Sequence, residues 1–220
     1  MPEGERVGRR TQAQRREQTG SALLAAAADL VVESGVRAVT LARVGERAGY
    51  SRGIVTHHFG SKRALLDALA RATQSGFVPG LAGTAPGLER LLTLARGYVG
   101  ALGDLGPMNR AFLLLWTEAL TDTELSDVFR ERDDAFRADL RTDVEAGIAA
   151  GSVRPDAEPH DVAVALLGQL RGIALQVLLA PDAVDTERLA PVVAEQWRRS
   201  LATGPTWSGA TGPPYASTAT

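Results

Sequence analysis

Ser51, Arg52, Thr56, His57 and His58 crowd hydrogen-bonding groups into eight residues, and Gly53 removes a side chain from their midst. A guanidinium can pair bidentately with guanine, and a threonine can offer a base edge either its hydroxyl or its methyl. A residue without a side chain lets a backbone come close to bases or phosphates. Lys62 follows in the first turn of the next helical pattern, beside free amides that favour an anion. A cation there opposes the helix dipole unless a phosphate is bound. The chemistry on offer is recognition of a polyanion.

Other chemistries fit less well. His57 and His58 are adjacent, so on a helix they point about 100° apart, and no cysteine or nearby carboxylate pair completes a ligand set. No metal and no cofactor are expected. His57 reads as a phosphate contact or a solvated side chain. His58 reads as the edge of a small core, bonding to backbone or DNA. The lack of cysteine excludes disulfides and thiol nucleophiles. With no phosphate-binding glycine loop, no HExxH and no recognisable Ser/His/Asp arrangement, an enzyme is not expected. Glu118 beside Trp116 could serve a ligand cation or be a surface group. Asp133, Asp134, Asp139 and Asp143 alternate with Arg130, Arg132, Arg137 and Arg141, which reads as a solvated, salt-bridged helix face.

Charge supports the polyanion reading only when the chain is divided. The 220 residues carry a formal charge of -2, yet residues 1–63 hold five net positive charges and the remainder seven net negative ones. A basic end on an acidic body can steer toward nucleic acid; an uneven solvated surface is the alternative. Of the 24 basic residues only Lys62 is not arginine, a bias that suits GC-rich coding. No apolar run reaches the ~18 residues of a membrane span, and Met1–Arg10 lacks a signal peptide's apolar segment. A cytoplasmic protein without membrane contact is expected.

The elements that would position these groups are all helical. Residues 1–16 read as a flexible basic arm that turns helical toward its end, whose Arg6, Arg9, Arg10, Arg15 and Arg16 could follow a groove or simply be solvated. Residues 17–75 read as four short helices, with Gly35, Gly49 and Gly60 as stops and Thr40, Ser51 and Ser61 as N-caps. Too short to stand alone, they must share a core; Leu23, Ala27, Leu30, Val31, Val44, Ala48, Ile54, Val55, Phe59, Leu65 and Leu69 are its expected members. Residues 41–58 have the form of a helix-turn-helix, whose second helix enters the major groove, although short capped helices separated by glycine occur in many bundles.

Gly- and Pro-rich residues 76–87 read as a linker. Helical patterns at 88–103, 107–119, 121–149, 158–179 and 185–202 build a larger bundle within 76–202, and 203–220 reads as a disordered tail. Such a bundle can hold a small ligand between helices. Tyr98, Met108, Phe112, Trp116, Gln169 and Ile173 are candidate lining, each of which could equally be ordinary core. Ala165, Leu166, Gly168, Leu170, Gly172, Ile173 and Val177 are the candidate dimer seam, small groups allowing close approach and apolar ones supplying area.

Residues 28–69, "ADLVVESGVRAVTLARVGERAGYSRGIVTHHFGSKRALLDAL", resemble the DNA-binding domain of the TetR family of repressors. Gly35, Thr40, Ala48, Gly49, Ser51, Gly53, His58, Phe59, Ser61, Lys62 and Leu65 fall on its pattern. The resemblance implies an all-α fold: an N-terminal three-helix unit with a helix-turn-helix, a connecting helix, and a C-terminal bundle for ligand binding and dimerisation. It implies a homodimer on a palindromic operator of double-stranded DNA, released by a small-molecule effector. By the same analogy Thr40, His57 and Lys62 are phosphate-side contacts, and Arg52, Gly53 and Thr56 lie at base edges, with Ser51 and His58 beside them. Thr56 departs from the family's usual tyrosine, and Gly45 from a common alanine. More loosely, "LLLWTEAL" at 113–120 and "AGIAAGSVRPDAEPHDVAVALLGQLRGIALQVLLAP" at 146–181 resemble the subgroup that includes choline-responsive betaine repressors. A regulator without a ligand, a helical enzyme and a protein-interaction module are the competing functions.

Overall fold

Thr11 begins the first helix. Its hydroxyl accepts from the Gln14 N–H at 3.3 Å while the Gln14 side chain accepts from the Thr11 N–H at 2.9 Å, a reciprocal cap that satisfies two otherwise orphaned donors. In the computed structural model, which describes residues 11–73, 81 and 83–203, helix α1 therefore spans Gln12–Ser34. Residues 12–16, the end of the expected arm, are helical, because a polar cap starts a helix before any apolar spacing shows. Residues 1–10 of the arm, half of the 76–87 linker and nearly all of the expected tail lie outside the described residues.

The small unit continues with α2 (Leu41–Ala48), α3 (Arg52–Phe59) and α4 (Lys62–Ala72). Thr40, Ser51 and Ser61 cap the three, accepting from the N–H groups of Arg43, Ile54 and Ala64. Leu23, Ala27, Val31, Val44, Val55, Leu65 and Leu69 are fully buried, as the apolar spacing predicts. Ile54 is not: it is 39% exposed, because Val55 takes the inward position on a helix of only eight residues.

The α2–α3 crossing depends on Gly45. A Cβ there would lie 2.7 Å from the Tyr50 carbonyl oxygen and 3.1 Å from Val55 Cγ2, distances that backbone cannot yield cheaply. The same carbonyl region is pinned by the Tyr50 N–H, which donates to the Gly45 carbonyl at 2.8 Å. Close packing, not drift, explains the departure from alanine.

The larger unit comprises α5 (Leu88–Ala101), α6 (Pro107–Glu118), α7 (Thr123–Ala149), α8 (Pro159–Leu179) and α9 (Thr186–Leu201), and no strand forms among the described residues. Helix α5 packs along α9, α7 along α8, and α6 reaches across to α1. One expectation needs correction. The Arg/Asp pattern of α7 is not wholly solvated: Asp143 is 1% exposed and accepts from the Gly87 N–H at 3.0 Å and Arg90 Nε at 2.7 Å. The 27-residue helix touches α4, α5, α6 and α8 on one side, where Asp143 lies, and keeps Asp134, Asp139 and Arg141 exposed on the other. Helix α8, Pro159–Leu179, is long enough and apolar enough, with a mean hydropathy of 1.8, to cross a membrane by length and composition, although Arg171 interrupts its apolar run. Its inward residues pack against the protein's own helices, with the charged Arg171 among them.

Replacing Gly45 by Ala should lower stability by about 1–3 kcal/mol, the cost typical of overpacking, despite alanine's better helix propensity. Urea unfolding of the full chain checks this; an unchanged or higher midpoint would contradict the crossing geometry.

Candidate nucleic-acid interface and ligand site

Two short caps hold α3 so that one side faces α2 and the other faces out. Val55 is buried in the inner side, whereas Ser51, Arg52, Gly53, Thr56 and His57 are exposed. The structure thus brings five of the predicted DNA contacts onto one outward surface. At Gly53 a Cβ would meet nothing nearer than Ser51 Oγ at 3.6 Å, so the protein's own packing does not require glycine there. Thr56 spends its hydroxyl proton within the helix, donating to the Arg52 carbonyl at 3.0 Å, which leaves its methyl as the outward group.

Lys62 is half-buried and its Nζ donates to the Arg37 carbonyl at 3.1 Å. That carbonyl belongs to the 3-10 turn Val36–Ala38 before α2, so Lys62 ties the start of α4 to the approach of α2. The dipole conflict at its helix N-terminus is offset inside the protein, and a phosphate is not needed to explain the residue. Thr40 is exposed at the head of α2. His58 is half-buried, with the α1 backbone opposite: a Cβ at Gly20 would sit 3.9 Å from Nδ1. Burial first, then the charges of Arg16 and His57, holds its imidazole below the ordinary value.

In the larger unit the predicted lining divides. Tyr98, Phe112 and Trp116 gather around Arg171, a residue the sequence reading missed. Arg171 is 5% exposed; its guanidinium donates to the Tyr98 hydroxyl at 3.0 Å and to Asp133 Oδ1 at 3.2 Å. It also lies 4.8 Å from the Phe112 ring centroid and 5.8 Å from that of Trp116. Trp116 Nε1 donates to Asp133 Oδ2 at 2.9 Å, and Arg132 lies 5.3 Å from the Phe112 centroid. Arg171 stands alone as a charge between Val162 and Leu179, the signal that could have found it. Met108 is half-buried against the core. Gln169 and Ile173 belong elsewhere: both line an open groove of about 420 Å³ between α8 and α9, where Gln169 accepts from Trp197 Nε1 at 2.6 Å and donates to Gln196 at 3.0 Å.

The predicted dimer seam also divides. Leu166, Leu170 and Val177 turn inward and are buried in the chain's own core, which corrects their assignment to a surface seam, while Ile173, 8% exposed, lies in the α8–α9 groove. Ala165 and Gly168 are exposed and Gly172 half-exposed, on the same side as Val164 at 46%. Because α8 is apolar nearly all round, periodicity could not tell its two sides apart.

Comparison with known proteins bears on both units. Residues 23–69 match the family model for bacterial regulatory proteins of the tetR family, and residues 87–202 match that for the C-terminal domain of BetI-type transcriptional repressors. The HTH-type transcriptional regulator BetI 1 of Chromohalobacter salexigens is 27% identical over 193 residues, 84% of this chain and 93% of that protein. Among solved structures, NalD, the secondary repressor of the MexAB-OprM multidrug efflux pump in Pseudomonas aeruginosa, is 25% identical with a TM-score of 0.68, covering 84% of this chain and 97% of that one. A putative transcriptional regulator from Saccharomonospora viridis, solved in complex with choline, shares the fold at 20% identity and a TM-score of 0.71, covering 86% and 100%.

The lowered His58 value makes stability depend on pH. The unfolded chain binds the proton more readily, so the contribution of the neutral ring is complete above the ordinary value of 6.5 and fades as pH falls below it toward the folded value. Thermal unfolding should show a loss between pH 7 and pH 5 that His58→Gln reduces; identical pH profiles for the two proteins would contradict the burial of this ring.

Proposed function

From the premise that the chain belongs to the TetR family of transcriptional regulators, with a BetI-type repressor domain, we propose that it works as a homodimer on a palindromic operator and is released by a small effector. The observation that carries this reading is the outward face of α3, where Arg52, Gly53, Thr56 and His57 lie exposed on a helix fixed by its caps and by Gly45. Such a face suits the major groove. Arg52 is the candidate for guanine, the Thr56 methyl suits a thymine methyl, and Thr40, His57 and Lys62 take the phosphate side. A regulator of this kind acts where the chromosome is, in the cytoplasm.

Two copies must hold their α3 helices about 34–36 Å apart to reach successive major grooves on one side of DNA. The outward strip of α8, with Val164, Ala165, Gly168 and Gly172, and Val192 of α9 at 56% exposure, is the surface proposed to pair. The interface is isologous, so each residue meets its counterpart region on the partner.

Helix α6 is the proposed transmission element. It bears Phe112 and Trp116 of the buried cluster, and at its end Glu118 pairs with Arg37 at 3.4 Å. Arg37 in turn accepts from Lys62 through its carbonyl. The Arg37–Glu118 pair is largely exposed on the arginine side, so it adds little to stability. Its value is directional: movement at the cluster reaches the approach of α2 through one helix. An effector acts by preferring the arrangement in which the α3 spacing does not fit DNA.

Arg52→Ala should relax base preference and weaken binding to the preferred operator by about 1–3 kcal/mol. Lys62→Ala should weaken all sequences alike and lower the salt dependence. Fluorescence anisotropy on the chain's own upstream DNA and on random DNA, across salt concentrations, checks both; equal losses on the two DNAs for both variants would contradict the assigned roles. Gly168→Arg should yield monomers by sedimentation and lose operator binding, while a variant that remains dimeric would place the seam elsewhere.

A further inference from the structure

The buried cluster of the larger unit holds more positive charge than it neutralises. Arg132 and Arg171 both lie over the Phe112 ring, at 5.3 and 4.8 Å from its centroid. The ion pair within the cluster joins Asp133 to Arg171, and the second oxygen of that carboxylate is taken by Trp116. Asp139 also acts on Arg132 but is exposed along α7. Both Arg132 Nε and Arg171 Nε are buried without a hydrogen-bond partner among the described residues. A buried guanidinium donor left unmatched is costly, and two cations sharing one ring raise that cost.

Resting on the reading that the larger unit takes an effector, we propose that this effector is a small organic carboxylate with an apolar body, its charge received by Arg132 and Arg171. The arrangement is the reverse of what a quaternary ammonium needs. Aromatic faces recognise such cations, but the Phe112 face is already held by guanidinium groups, and the Trp116 ring lies near one of them. A cation entering would meet like charge; a carboxylate would meet two unmatched N–H donors in a partly desolvated setting, where charge-assisted bonds are strong. The half-exposed Trp116 and Met108 on α6 provide apolar surface for the rest of the molecule. Burial and the neighbouring Arg171 lower the Arg132 guanidinium's affinity for its proton, the direction that an arriving anion would reverse.

The test uses the full-length protein, with sodium octanoate, sodium benzoate and choline chloride as probes, each against sodium chloride at equal ionic strength. At least one carboxylate at millimolar concentration should raise the melting temperature by roughly 2–4 °C, and choline should not. The variant Arg132→Leu should melt higher than the wild-type protein without ligand, since it relieves repulsion, and should lose the carboxylate shift. Stabilisation by choline, no stabilisation by either carboxylate, a shift that survives in Arg132→Leu, or a lower melting temperature of that variant each overturns the inference. Anisotropy of the wild-type protein on its upstream DNA, run in parallel, separates the two proposals. Binding that choline but neither carboxylate releases keeps the regulator and discards the anion; no DNA binding at low salt discards the regulator, whatever the melting curves show.

Discussion

A guanidinium buried in an apolar bundle must be paired, because the cost of taking it out of water is several kcal/mol. Arg171 meets this constraint by drawing on three other helices: the Tyr98 hydroxyl from α5, the Asp133 carboxylate from α7, and the Phe112 and Trp116 rings from α6. The larger unit is thereby organised around one side chain of α8. Removing Asp133 would leave charge unmatched at its centre and removing the Tyr98 hydroxyl would leave a buried donor without its acceptor, so the relative placement of these four helices is specified by electrostatics as well as by packing.

That constraint also gives α6 its double role. The helix carries the two rings at its inner turns and Glu118 at its end, beside Arg37 of the DNA-binding unit. It packs on α1 along part of its length. A single rigid element therefore touches both the charged cluster and the turn that leads into α2. Lys62 reinforces the second connection by bonding the carbonyl of the same Arg37.

The caps show how much local structure was readable. Thr40, Ser51 and Ser61 each stand where a hydroxyl can accept from the third N–H of a helix, and each does so. The polar residues of α3 turn outward as expected, but which apolar residue turns in was only partly readable: Val55 is buried while Ile54, expected beside it in the core, is 39% exposed. Thr11 was equally readable through Gln14, but a search for apolar spacing passes over a polar start. Other features resisted. The buried Asp143 looks in sequence like its exposed neighbour Asp139, and the difference lies in which partner, Gly87 and Arg90, arrives from the end of a distant loop. Gln169 was expected beside the aromatic residues, yet it turns the other way, toward Trp197.

By itself the sequence determined that the chain is helical, where α2, α3 and α4 are capped, and the polar character of α3, since caps, glycine stops and apolar spacing act between residues close along the chain. Only the tertiary structure decided which side of α8 is inward, that Gly45 is demanded by the Tyr50 carbonyl, and that Arg132 and Arg171 share one aromatic ring. Those outcomes depend on contacts between segments far apart in sequence. An apolar helix without a polar stripe, or a lone charge within one, has no local cue to say what will be packed against it.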